Sequence, residues 1–360
     1  MLTKYVIKQI GYYIYSRKPI STAPVVKGLK MYRSVTGGGK KSFFTVLKEL
    51  RELSSYWHAW PDSYFRFAMF MKDFGDKERM KSFVPQGAYA AYCKDVAYPS
   101  KYNILIDDKI LFHDIMQQYG LPVPHRYFTF RNNEFRDGAN ILNDHQVDEI
   151  IGSVTDERIF VKRFTGGAAS GVSIFVRKGD GFVDADGDKV SASMIRHKYA
   201  NQDFFFEKQI KQEHVLSQFN PDTVNTIRVL TYDNKIISAS VRFGGKGDYI
   251  DNVSKGGVAV SMDITTGRLS KYGQRMYDVA RYDEHPDTHL KFDGVVVTQW
   301  PEVKAVVERS MTFLPYYKSV GYDVATTDDG PVIIEINTGA GIGLSQMGKE
   351  YGLRKAFRKD

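Results

Sequence analysis

The sequence predicts an α+β fold that follows a basic, mainly helical N-terminal extension. Three observations point there. Residues 1–82 read mostly as helix, and in SFFTVLKELRELSSYWHAW the residues Phe43, Val46, Leu47, Leu50 and Leu53 fall on one helical face. From about residue 100 the texture changes to short β-rich runs interspersed with helices. The links between those runs are predominantly hairpin-like, which favours α+β layers over a doubly wound parallel sheet.

Each element follows in order. GGGKKS (37–42) resembles a phosphate loop but has Ser34 where the motif needs its first Gly, and Lys41 where it needs Ser or Thr, so it reads as a flexible turn. Residues 107–120 read as a helix closed by Gly120, and LPVPHRYFTF leads into a strand. RIFVKRF (158–164) and GVSIFVRK (171–178) are strand-like runs joined by TGGAAS. A helix is expected around 191–199, then strands in FFFEKQI, NTIRVLTY, KIISASVRFG and GGVAVSMDI. Residues 301–320 read as a helix with Pro301 in its first turn and Val303, Val306, Val307 and Met311 facing one way. YDVATTDDGPVIIEIN reads as a hairpin turning at Asp-Asp-Gly.

Composition bounds the function. The 360 residues suffice for a sizeable core in two or three subdomains. Hydrophobic residues make up 42% and charged residues 26%, ordinary for a soluble globular protein. A single cysteine, Cys93, excludes an intrachain disulfide and suits a reducing cytoplasm. No apolar run approaches the roughly 18 residues of a membrane span. Lys4 and Lys8 interrupt the apolar N-terminus, which makes it a poor signal peptide. Of the net charge of +8, residues 1–60 carry +9 through 11 Lys or Arg against Glu49 and Glu52, and the other 300 residues sum to −1. Such a head suits anionic lipid, nucleic acid or plain solvation, with solvation the simplest reading and lipid contact the next.

VIIEINTGAGIG (332–343) poses the first chemical choice. As a dinucleotide turn it is weak, because the third glycine comes one place early and too little chain follows for a βαβ unit. As a metal site it has Glu335 and Asn337 on one face of a strand, with Asp323 on the partner strand. Two carboxylates and an amide oxygen suit Mg²⁺; a polar, solvent-facing hairpin is the alternative. Lys162 ends a strand beside the small-residue loop 165–171, a combination that can close on phosphate oxygens. Glu207, Lys208 and Ile210 lie at a strand end where backbone groups can read a purine edge, and Glu213 follows at a distance suited to ribose hydroxyls. Arg228 and Arg242, on consecutive strands, are the residue type that clamps phosphate or carboxylate bidentately, and equally the type that makes structural ion pairs.

The ordered series Lys109, Lys162 with its Gly-rich loop, Glu207-Lys208-x-Ile210, Arg228, Arg242, Asp323 and Glu335-x-Asn337 resembles the ATP-grasp superfamily. The phrases VNTIRVLTY, VRFGGKGDYIDNVSKGGVAVSMDITTG and GYDVATTDDGPVIIEIN narrow the resemblance to its sugar-transfer, surface-polysaccharide group, over about residues 100–345. The resemblance implies an ATP-grasp fold of two α+β subdomains gripping ATP: an extension 1–100, a lid subdomain 101–206 and a catalytic subdomain 207–360. It implies ATP and Mg²⁺ as cofactors. Lys109 and Lys162 would contact phosphates under a lid containing Gly166, Gly167, Ser170 and Gly171. Glu207, Lys208, Ile210 and Glu213 would hold adenine and ribose, and Asp323, Glu335 and Asn337 the metal. Arg228 and Arg242 would steady the γ-phosphate and the acyl-phosphate formed from it, and Asp251, Asn252 and Lys255 would lie near the acceptor or the γ-phosphate, with Lys255 counted among the catalytic residues.

The implied activity is an ADP-forming carboxylate–amine ligase acting through an acyl-phosphate, joining an amino acid and a sugar. The alternative is an ATP-grasp phosphotransferase acting on a hydroxyl. The implied partners are small carboxylate and amine substrates, not nucleic acid, with a homodimer and peripheral membrane contact through residues 1–60 as further expectations. The implied location is the cytoplasm, including the inner face of the membrane. The sequence departs from the common superfamily pattern at its start, where a helical extension replaces a compact α/β domain.

Overall fold

The computed structural model describes residues 22–95, 102–164, 172–245 and 256–357. Residues 22–95 contain helices and, among the described residues, no strand: Thr22–Ser34, Phe43–Trp57, Ser63–Arg66, Lys77–Ser82 and Gln86–Asp95. Ser42 caps Phe43–Trp57 by accepting from the Thr45 amide, and His58 in the left-handed region ends it. The buried stripe is Val46, Leu50, Leu53 and Trp57. Phe43, expected on that stripe, is exposed because it sits in the first turn, ahead of the packed face. The glycine turn before this helix uses its lysines structurally. Lys40 donates to the Tyr32 and Val35 carbonyls, and Lys41 pairs with Glu49 at 3.0 Å.

Thirteen strands follow among the described residues, in two sheets. The first is β1 (Arg126–Arg131), β2 (Glu134–Asp137), β3 (Asn140–Leu142), β4 (Arg158–Arg163), β5 (Val172–Lys178), β6 (Gly181–Val183) and β7 (Phe204–Lys208), in the order β3-β2-β1-β7-β4-β5-β6. All its pairings are antiparallel. Alternation along β4 and β7 splits the faces. Ile159, Val161, Phe204 and Phe206 enter a core with Val147 and Ile151 of the helix Asp144–Ser153 and Ile195 of the helix Ala192–Lys198. Lys162 and Glu207 therefore project from the other face.

The second sheet is β8 (Ile227–Tyr232), β9 (Lys235–Phe243), β10 (Val258–Met262), β11 (Leu269–Gln274), β12 (Gly321–Thr327) and β13 (Gly330–Asn337), in the order β11-β10-β9-β8-β12-β13. The hairpin β12–β13 turns at Asp328-Asp329, with Gly330 at φ +107°, as its Asp-Asp-Gly signal predicts. The helix expected over 301–320 spans only Trp300–Phe313. Pro315 is the reason: it removes an amide donor and biases Leu314 away from helical geometry.

The chain divides into two compact units. One comprises Met1–Pro99, His214–Val324 and Asn337–Asp360; the other comprises Ser100–Glu213 and Ala325–Ile336. The sequence bound at 206/207 falls inside β7, which lies between β1 and β4. In the first unit the N-terminal helices are stitched to the C-terminal segment by Gln346. Its buried amide accepts from the Val84 and Leu353 amides and donates to the Val84 carbonyl.

Candidate functional site

The second unit gathers a lysine–glutamate cluster. On β4 and β7 Phe160 lies opposite Glu207 and Lys162 opposite Phe205, so Lys162 and Glu207 are diagonal neighbours on one face. Their side chains meet at 2.6 Å, the lysine 17% and the glutamate 8% exposed. Lys109 is the first residue of the helix Lys109–Gln118, fixed there by Asp108, whose carboxylate accepts from the Ile110 and Leu111 amides. Burial pushes the Lys109 ammonium below the ordinary lysine range. Glu335 counters this, Lys162 adds to it, and Glu207 counters it again, so these four charges share one electrostatic neighbourhood. Glu213 is buried and accepts from the Thr326 hydroxyl at 3.1 Å, while its amide donates to the Thr326 carbonyl. The Lys208 amide donates to the His125 carbonyl at 2.9 Å. Lys208 itself is exposed and Ile210 half-buried.

The first unit gathers an arginine–aspartate cluster. Register places Asp323 of β12 directly opposite Arg228 of β8. Arg228 engages both carboxylate oxygens, through Nε to Oδ1 and through Nη2 to Oδ2 at 2.9 Å. Arg242 reaches Oδ2 at 3.2 Å, and the Asn337 side-chain amide donates to the same oxygen at 3.3 Å. The Thr226 hydroxyl receives the Arg242 Nε at 2.8 Å. Asp323 is 2% exposed at its side chain. Two guanidiniums are thus oriented on one carboxylate in a largely desolvated place. Gly321 makes room for this arrangement. A Cβ there would lie 2.7 Å from the Ala340 Cβ and 3.2 Å from the Arg228 Cδ.

The expected residues thus fall into two groups. Lys109, Lys162, Glu207, Glu213 and Glu335 belong to one unit, and Arg228, Arg242, Asp323 and Asn337 to the other. Gly166, Gly167, Ser170, Gly171, Asp251, Asn252 and Lys255 lie outside the described residues. Among the described residues, no group of three or more His, Cys, Asp or Glu could hold a metal ion. The set expected for Mg²⁺ has two carboxylates and an amide. Glu335 and the Asn337 Oδ1 are hard oxygen donors that fit it. Asp323 fits only after giving up hydrogen bonds, since its oxygens already accept four donors, about the full capacity of a carboxylate. Sequence reasoning missed Thr226, Asp108 and Gly321. Asp108 had a readable signal, an N-cap residue just before an apolar-periodic run.

A model described as sugar-transfer associated ATP-grasp matches residues 89–359. No curated protein sequence matches the chain. Among solved structures the chain is similar to the ATP-grasp ligase PsnB complexed with minimal precursor, Mg and ADP, at 15% identity and a TM-score of 0.37, covering 67% of this chain and 52% of that one. It is similar to an ATP-grasp RimK domain protein from Sphaerobacter thermophilus at 13% identity and a TM-score of 0.39, covering 71% and 68% respectively. A D-alanine–D-alanine ligase from Bacillus anthracis matches at 15% identity and a TM-score of 0.36, covering 70% and 64%. The chain spans about half the length of the PsnB chain. No helix among the described residues is long and apolar enough to cross a membrane. ATP-grasp enzymes are typically ATP-dependent ligases. From the extent of the family match, the chain belongs to the sugar-transfer associated ATP-grasp family.

Proposed function

We propose that the protein is an ATP- and Mg²⁺-dependent carboxylate–amine ligase that forms an amide between an amino acid and a sugar in surface-polysaccharide biosynthesis. The observation that supports this most is the arginine pair held on the single buried carboxylate of Asp323. Two oriented guanidiniums with one anion between them suit an incoming phosphoryl group and the acyl-phosphate made from it.

In this reading a substrate carboxylate oxygen attacks the γ-phosphorus of ATP, and the bond to the β-phosphate oxygen breaks. The amine then attacks the acyl carbon and inorganic phosphate leaves. Lys109 and Lys162 hold the nucleotide phosphates; the Lys208 carbonyl and Ile210 amide read the purine edge beside Glu207, and Glu213 holds the ribose. Arg228 and Arg242 would steady the transferred phosphoryl oxygens, and Asp323, Glu335 and Asn337 would supply the oxygen ligands for Mg²⁺. The ion would offset negative charge gathering on the phosphates. Loop 165–171 keeps water from the acyl-phosphate, and Lys255 with Asp251 and Asn252 serves the acceptor side.

Hydroxylamine tests the intermediate. With ATP, Mg²⁺ and the carboxylate substrate but no amine, it should capture the acyl group as a hydroxamate. ADP formation with a phosphorylated hydroxyl and no hydroxamate would replace the ligase with a phosphotransferase.

A further inference from the structure

We propose that the first unit holds a second anion site, built for a sugar that carries a carboxylate or a phosphate. The site is a cavity of about 520 Å³, inside the usual range of small-ligand pockets. Its apolar wall is made by Phe67, Phe74 and Phe83 from the N-terminal helical region and Tyr272 from β11. The phenylalanines are buried, and Tyr272, 38% exposed, is the ring that can meet the face of a sugar. Three cations line the same space: Arg79, Arg281 and Lys349. Two acids line it as well, Asp73 and Glu350, both solvent-exposed, so positive charge exceeds negative by one.

The cations differ: Arg79 is braced by the protein, and Lys349, among the described residues, is not. Arg79 is anchored, its guanidinium donating to the Glu350 and Phe74 carbonyls and lying 4.7 Å from the Phe74 ring centroid. Burial and, after it, the nearby charge of Arg281 work against the charge on Arg79, and Glu350 and Asp73 offset part of this. Lys349 is half-buried, and among the described residues its ammonium has no hydrogen-bond or ion-pair partner. The acid that influences it, Asp263, is occupied in its own turn by the Thr265 and Thr266 amides and the Thr266 hydroxyl. Lys349 is placed by its neighbour. Gly348 has φ +71°, and a Cβ there would fall 2.7 Å from the Tyr272 carbonyl oxygen. Only glycine lets the segment press onto β11 and set Lys349 over the cavity.

The cavity lies on the sheet face that carries the arginine pair. Gln274, which lines it, is opposite Ala259, and Ala259 is opposite Arg242. Directly paired residues share a face, so Gln274 and Arg242 stand in one row two strand spacings apart, about 10 Å. Ala259, between them, is buried in the core, so the cavity is a separate site on that face. Binding there does not depend on the ligase reading.

Isothermal titration of the full chain with glucuronate and with glucose 6-phosphate tests the site, with glucose and inorganic phosphate as partial ligands. One of the charged sugars should bind saturably at one per chain, at least tenfold tighter than either partial ligand. The preferred sugar distinguishes carboxylate from phosphate. Lys349→Met and Arg281→Gln should each weaken it at least tenfold while ADP binding and the melting temperature stay unchanged. Arg281 is exposed, so its variant keeps the test available if Lys349→Met does not fold. No saturable binding of either charged sugar, equal binding of inorganic phosphate, or affinity unchanged in both variants would overturn the proposal. Sugar binding without ATP turnover would count against the ligase and not against this site.

Discussion

Lys162 meets Glu207 through one ammonium at 2.6 Å, whereas Arg228 grips Asp323 with two nitrogens and Arg242 adds another contact. The lysine cluster is slightly the more exposed, and its charges are compact. The arginine cluster is more deeply desolvated and fixed by planar geometry. The first arrangement tolerates a ligand whose phosphates shift during a reaction. The second holds a defined orientation for a group whose bonds change. Under the proposed ligase reading, the two kinds of cation would divide two tasks, binding the nucleotide and orienting the transferred group.

The largest effect should come from Asp323→Ala. It leaves two buried guanidiniums without their carboxylate and should cost about 3–5 kcal/mol of stability, measured by denaturant unfolding. Lys162→Ala should cost less, about 1–3 kcal/mol, because Glu207 keeps Lys109 in its electrostatic neighbourhood. Steady-state kinetics should show its KM for ATP raised at least tenfold. Equal destabilisation by the two variants would erase the distinction between the clusters. Gly321→Ala forces the Arg228 side chain or Ala340 to move and should cost about 1–3 kcal/mol. Its kinetic signature should be a lower kcat with an unchanged KM for ATP.

The smallest effect is a pH dependence from Lys109. Burial lowers its folded-state pKa, an effect that Glu335 and Glu207 only partly offset. At neutral pH the charged ammonium therefore opposes folding. Stability should rise with pH through the alkaline interval between the lowered value and the ordinary lysine value, because there the unfolded chain binds more protons. ATP affinity should fall over the same interval as the positive charge is lost. Lys109→Met should flatten both curves, and a titration of unfolding midpoints and nucleotide affinities checks this.

Much of the fold could be read from local pattern. β-rich runs put Lys162 and Glu207 on strands, and the Asp-Asp-Gly turn announced the β12–β13 hairpin. The helix from Trp300 was overextended because apolar periodicity was followed past Pro315, where the backbone could not continue it. The arginine cluster was named residue by residue, yet its internal pairing was not legible. The contact between Arg228 and Asp323 depends on the register of β8 against β12, which joins residues 95 positions apart. Lys349 was invisible for a similar reason. Its place over β11 follows from the left-handed backbone at Gly348 and a close approach to a distant strand.

The most direct test of the central claim is product analysis. Wild-type protein would be incubated with Mg²⁺-ATP, pooled amino acids, uronic acids and amino sugars, with Glu335→Ala as control, and products read by mass spectrometry. The account predicts ADP and inorganic phosphate formed together with a new amide, dependent on both substrates and absent in the variant. A phosphorylated acceptor without an amide, or no substrate-dependent ADP at all, would contradict it.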